Sequence, residues 1–356
     1  MASGADVDAI AAARRQFSPE FAWLNTATYG LPPRAGWEAF QRAADEWRHG
    51  RTGFDGWDRS VGAARATFAR LVGVAEGDVA VGAQASAFVG LVAASLPAGA
   101  RVLCPEGDFT SLLFPFLAQE ARGVRVDVVP LDRLAEAVGA EHRLVAFSAV
   151  QSADGRVADL DALAAAARHH GAQTFVDATQ AVGWLPLDCG RFDYTMCAGY
   201  KWLLGPRGTA YFTIRPEHRD AVVPHGAGWY AGEDPSTAYY GAPLRLAADA
   251  RRFDLSPAWL NWVGAAPALT LLEEIGVAAI HRHDVAMAAR LRERLDLPPG
   301  DSAIVSVRGL PDDAVDRLAA AGVMAAGRGG AVRFSCHLYV TEAEVESAAD
   351  VLATMR

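Results

Sequence analysis

Between residues 78 and 178 the chain alternates short apolar runs with amphipathic stretches. DVAVG (78–82), RVLCP (101–105), VRVDVVP (124–130), RLVAFSAV (143–150) and QTFVDA (173–178) read as strands, because each is short, apolar and bounded by polar or turn residues. Between them, ASAFVGLVAASL (85–96), stopped by Pro97, TSLLFPFLAQEA (110–121) and DLDALAAAARHHG (159–171) read as helices. Strands alternating with helices of this length predict βαβ units, hence an α/β fold with a mainly parallel sheet between helices. Two further apolar runs surround Tyr194 and Tyr211. Residues 34–72 predict two helices and 257–295 a further helical stretch. From Ala303 strand and helix alternate on a smaller scale, which predicts a second, smaller domain. The stretch 225–262 reads as loop and is rich in Trp and Tyr. No internal repeat or low-complexity linker interrupts this order.

Bulk composition narrows the reading. The chain has 356 residues, 51% of them hydrophobic, enough for a large core and for two domains. Its formal net charge is −9 and it shows no basic patch, which argues against nucleic acid and anionic membrane as partners. No stretch has the apolar length of a membrane span, and MASGADVDAIAAARRQF lacks the apolar core of a signal peptide. Cys104, Cys189, Cys197 and Cys336 are scattered without metal-ligand or disulfide spacing. A cytoplasmic protein with reduced thiols is expected. His169-His170 and His281-x-His283 lack the i,i+4 spacing of a helical metal pair and are expected at the surface.

One detail of composition changes the picture. Lys and Arg together number 33, and only Lys201 is lysine. It lies in MCAGYKWLLGPRG (196–208). A guanidinium stays charged and cannot act as a nucleophile, whereas a desolvated amine can lose its proton and attack a carbonyl. A lysine retained where arginine serves everywhere else points to amine chemistry.

In parallel sheets ligands bind beyond the carboxyl ends of the strands. After DVAVG comes Gly82-Ala83-Gln84-Ala85-Ser86, a small-residue turn into a helix N-terminus, which suits a phosphate. After RVLCP come Asp108 and Phe109, after RLVAFSAV comes Ser152, and at the end of QTFVDA comes Asp177 with Gln180 three residues on. Tyr200 and Lys201 follow the strand near Tyr194. No GxGxxG or GxxxxGK[ST] motif is present, and GAGWYAG (226–232) has the wrong spacing, so nucleotides are disfavoured. An amine, a carboxylate, an aromatic ring and a phosphate cradle at neighbouring strand ends suit one ligand, pyridoxal 5'-phosphate (PLP).

At these residues the chain resembles the class V aminotransferase and cysteine desulfurase-like family of fold-type I PLP enzymes, which includes kynureninases and isopenicillin N epimerase-like proteins. The resemblance rests on TFVDATQAVGWLPLD paired with CAGYKWLLGPRGTAYF, and on WLNTATYGLPP and AVRFSCHLYVTEAEV near the ends. It implies a seven-stranded, mainly parallel sheet in a large PLP-binding domain (34–256). An N-terminal segment (1–33) would contribute to the substrate site, and 257–356 would form a connecting helix and small α/β domain. Lys201 would bond covalently to the cofactor aldehyde, Asp177 would face the ring nitrogen and Gln180 the phenolic oxygen. Ala85, Ser86 and Tyr200 would hold the phosphate, Phe109 would stack on the ring, and Ser152 stands where desulfurases have Asn. Arg333 would grip the substrate carboxylate, and Asn25 and Tyr29 would line the substrate site. The resemblance also implies a homodimer with a shared active site, Ser256 lying near the residue that reaches the partner's phosphate.

Departures from the family pattern bear on the reaction. Phe109 replaces a common His and is closer to kynureninases, and Tyr200 replaces the His that often precedes the lysine. Desulfurases carry a nucleophilic Cys shortly before the carboxylate-binding Arg, whereas Val323 to Arg333 here encloses only MAAGRGGAV. A persulfide-forming desulfurase is disfavoured. The expected chemistry is Cα-proton abstraction from an amino acid followed by β-elimination of the C–S lyase type, with transamination and then epimerisation as alternatives. Trp229, Tyr230 and Tyr239 are candidates either for the substrate site or for a dimer interface.

Overall fold

The computed structural model describes residues 4–355. The chain begins with α1 (Gly4–Arg14), the two-residue β1 (Ala22–Trp23), α2 (Arg34–Arg48) and α3 (Phe54–Leu71). It continues through β2 (Val79–Gly82), α4 (Ala85–Ser95), β3 (Arg101–Pro105), α5 (Thr110–Leu117), β4 (Arg125–Val129), α6 (Leu134–Ala137), β5 (His142–Ser148), α7 (Leu160–His170), β6 (Gln173–Asp177), β7 (Tyr194–Ala198) and β8 (Ala210–Ile214). An irregular stretch leads to α8 (Trp259–Ile275), α9 (Val277–Arg294), β9 (Ile304–Val307), α10 (Ala314–Ala320), β10 (Val323–Met324), β11 (Ala326–Arg328), β12 (Ala331–Ser335) and α11 (Glu342–Ala353).

Seven strands form the central sheet in the order β2–β8–β7–β6–β5–β3–β4. All pairings from β7 across to β4 are parallel, and β8 alone runs antiparallel to both its neighbours. Successive side chains go to opposite faces. Val79, Val81, Val145, Phe147, Val176 and Cys197 pack on one face, whereas Ala80, Leu144, Ala146, Phe175 and Met196 pack on the other. Both faces are therefore covered, as a βαβ sheet requires.

The helical stretch expected over 257–295 is two helices. Gly276 at φ +84° interrupts it, and α8 and α9 meet at 86°. No single helix among the described residues is long and apolar enough to cross a membrane. A second sheet, β11–β12–β9, is antiparallel, and β1 pairs with β10 in parallel register, Ala22 opposite Val323. Segment 22–28 is thereby stitched to the C-terminal strands: Ser335 N donates to Leu24 O at 2.8 Å and Ala27 N to Ser335 Oγ at 2.9 Å.

A buried ion pair fixes the chain before α8. Arg65 of α3 holds Asp254 at 2.6 Å, and Val81 N of β2 donates to the same carboxylate at 2.7 Å. Burial pushes Asp254 up to about 6, against the pull of Arg65.

One expectation needs correction. His281 and His283 are half-buried, not surface residues: the His281 ring stacks on Trp184 at 5.7 Å, and burial lowers His283. Trp229, Tyr230 and Tyr239 pack with one another and Trp229 with Trp259, and Tyr230 donates to Asp58 at 2.6 Å. None of the three lines the pocket described below.

Candidate active site

The loops after β2, β3, β5, β6 and β7 open onto one pocket. It is lined by Ala85, Ser86, Phe109, Ser152, Asp177, Gln180, Tyr200 and Lys201, together with Ser148, Thr179 and Arg207. Eight of the nine residues expected to hold a cofactor are thus brought together. Ser256, the ninth, is exposed and away from this lining. Asn25 pairs with Ser335 by a β-bridge and is likewise outside it.

Lys201 is buried at the mouth of the turn after β7. Its backbone is held tightly. A Cβ on Gly30 would sit 2.0 Å from Lys201 O, and Gly30 N donates to Tyr200 O at 2.9 Å. Leu204 accepts the left-handed conformation, φ +59°, to close the turn with Leu204 N donating to Lys201 O. Gly30→Ala is therefore expected to push this turn aside, costing about 1–3 kcal/mol of stability. Chemical denaturation measures that loss, and slower covalent cofactor capture should accompany it.

The Lys201 Nζ lies 5.4 Å from the Phe109 ring centre and 5.7 Å from that of Tyr200. Burial lowers its pKa to about 8, Asp177 opposing and Arg333 adding to the shift. Burial likewise raises Asp177 to about 6, although hydrogen bonds from Thr179 pull it down, one of them Thr179 N to Oδ1 at 2.8 Å. Only the neutral amine attacks a carbonyl, so the rate of covalent aldehyde capture should rise with pH and level off above about 8. Stopped-flow absorbance against pH measures the midpoint, and one near 10.5 would show the amine to be solvated. In the cofactor-free protein Lys201 also adds stability as pH rises from about 8 to 10.5, where the unfolded chain binds the extra proton.

The other groups are held by their own networks. Asp108 accepts from Ser148 N at 2.8 Å, from Ser148 Oγ and from Phe109 N at 2.6 Å, pinning the loop from which the half-exposed Phe109 ring stands. Gln180 donates to Ala27 O and Ser152 Oγ and accepts from Trp202 Nε1 at 2.8 Å. The N-cap Gln84 makes no side-chain bond and the first turn of α4 carries no acid, so its N–H groups and dipole remain available to an anion.

Arg333 of β12 reaches the same region. Its guanidinium donates to Ser152 O at 2.5 Å and Thr28 Oγ1 at 2.7 Å, and its Nε is buried without a partner. These partners are neutral, and burial lowers its pKa to about 10, with Arg328 adding. A desolvated cation of this kind suits an incoming carboxylate. Tyr29 accepts from Arg207 N at 3.2 Å and sits 5.3 Å from the Tyr200 ring. Arg207 stacks on Tyr200 at 5.1 Å. It was missed because GPRG reads as a turn, and its charge inside that turn was the available signal.

The donor set fits PLP: a buried amine for the aldehyde, a buried carboxylate for the ring nitrogen, an uncapped helix N-terminus for the phosphate and an aromatic face. Fold and pocket together define a fold-type I PLP-dependent enzyme. The aminotransferase class-V family model matches residues 58–310, and the chain belongs to that family. An uncharacterized aminotransferase, YcbU of Bacillus subtilis, is 31% identical over 82% of each chain. Isopenicillin N epimerase of Streptomyces clavuligerus is 28% identical over 95% of this chain and 96% of the epimerase. Among solved structures, a C-DES mutant with glycine covalently linked to its PLP cofactor superposes with a TM-score of 0.87, at 21% identity over 96% of this chain and 99% of that one.

Proposed function

We propose that the protein is a PLP-dependent lyase that cleaves the Cβ–S bond of an S-substituted cysteine or a similar amino acid by β-elimination. The observation that carries this reading is the absence of a thiol at the site. All four cysteines are buried away from the pocket lining, burial raises every one of their thiols, and the hairpin before Arg333 carries Gly327-Arg328-Gly329-Gly330 instead. With no protein sulfur to receive it, the substrate's sulfur leaves as a free thiol. The balance is RS–CH2–CH(NH3⁺)–COO⁻ + H2O → RSH + pyruvate + NH4⁺.

When bound, PLP supplies an electron sink for the bonds at Cα. The chain supplies the rest. Arg333 takes the substrate carboxylate in place of its neutral partners. Asp177 keeps a proton on the ring nitrogen. Lys201, with a pKa of about 8, removes the Cα proton as base and returns it to the leaving sulfur as acid, both forms being populated near neutrality. Phe109 and Tyr200 keep water from the amine. The same reading includes a homodimer, because Ser256 is exposed on a segment anchored by Asp254 yet off its own subunit's pocket.

A second reading, transamination, draws support from the B. subtilis relative's name. Incubating the protein with S-substituted cysteines separates the two. Pyruvate, ammonia and thiol in equal amounts support the lyase. Conversion to the pyridoxamine form, reversed by a keto acid and without thiol release, would overturn it.

A further inference from the structure

Asp284 of α9 and His337, just beyond β12, are both fully buried. His337 Nδ1 is 2.7 Å from Asp284 Oδ2, and Nε2 is 3.1 Å from the carbonyl oxygen of Trp202. A carbonyl only accepts, so Nε2 must carry a proton for this contact to bond. The 2.7 Å contact of Nδ1 with Asp284 holds the ring with Nε2 toward the Trp202 carbonyl. Asp284 Oδ1 is buried without a partner among the described residues, and Oδ2 bonds to His337. The rings of Trp202 and Tyr339 enclose the imidazole at 5.3 and 5.9 Å, and His283 borders the pair on α9.

Trp202 is the residue after Lys201. At its other end the indole Nε1 is held by Gln180. Gly183 lies so close that a Cβ there would meet Trp202 O at 2.4 Å. The backbone carrying the lysine is therefore clamped from the side away from the pocket.

We propose that Asp284 and His337 are positioning residues for Lys201: the His337 Nε2–H pins the Trp202 carbonyl and fixes the backbone from which the amine enters the cofactor pocket. This concerns cofactor loading and holds whichever reaction follows. The pair lies outside the pocket lining and joins α9 and the end of β12 to the turn after β7.

Two measurements test it. In wild-type holoenzyme labelled with ¹⁵N-histidine, with His337 assigned through His337→Gln, Nε2 of His337 should carry a proton. An unprotonated Nε2 would overturn the proposal, and this arm needs no variant to load cofactor. For loading, cofactor is removed and PLP added back. Covalent capture is followed by absorbance and by mass after borohydride reduction. His337→Leu should capture on the order of tenfold more slowly, the effect of losing one buried hydrogen bond. Asp284→Asn, whose amide donates to Nδ1 while Nε2–H still reaches Trp202, should recover capture to within about threefold of wild type. Folded His337→Leu with unchanged capture, or Asp284→Asn as impaired as His337→Leu, would show the pair to be mere core packing.

Discussion

Lys201→Arg should fold, take up no cofactor covalently and lose catalysis. Arginine keeps the charge and much of the bulk, but a guanidinium does not give up its proton and so neither attacks an aldehyde nor serves as base at Cα. Losing the proton transfer alone removes about 10²–10⁴-fold in rate, and the loss of covalent loading adds to it. Mass spectrometry after borohydride reduction reads the first effect and turnover the second. Wild-type activity in this variant would remove Lys201 from the mechanism.

Asp177→Asn should separate loading from turnover. The amide cannot hold a proton on the ring nitrogen, so turnover should fall on the order of 10²–10³-fold, the scale of removing one preorganised electrostatic group. Capture should persist with a shifted profile. Asp177 raises the pKa of Lys201 against the effect of burial, so its removal should move the capture midpoint below about 8. A midpoint that stays put, or moves up, would mean that the two groups do not sense each other.

The central sheet was legible because its signals are local. The strands are single apolar runs, and the chemistry stands just after all but one of those from DVAVG to the run near Tyr194, so Lys201, Asp177, Ser86 and Phe109 could be placed in one pocket from strand ends alone. The break at Gly276 was not read, because α8 and α9 share one apolar composition and only a left-handed glycine divides them. Asp284 and His337 were missed for a different reason. They lie 53 residues apart, and the HRHD run of α9 has the composition of a solvated face. The Trp229–Tyr239 loop could face either way on sequence, and the contact that anchors it, from the Tyr230 hydroxyl to Asp58, comes from α3.

The buried position of Lys201 has a practical corollary. The folded surface carries no lysine ε-amine, so an excess of a reactive aldehyde has, the chain terminus aside, a single side chain to modify. Reagents that elsewhere label a protein indiscriminately act here as a one-site titrant. The count of covalently attached groups per chain then reports how many active sites are competent, and protection of that site by an amino acid reports occupancy by the substrate.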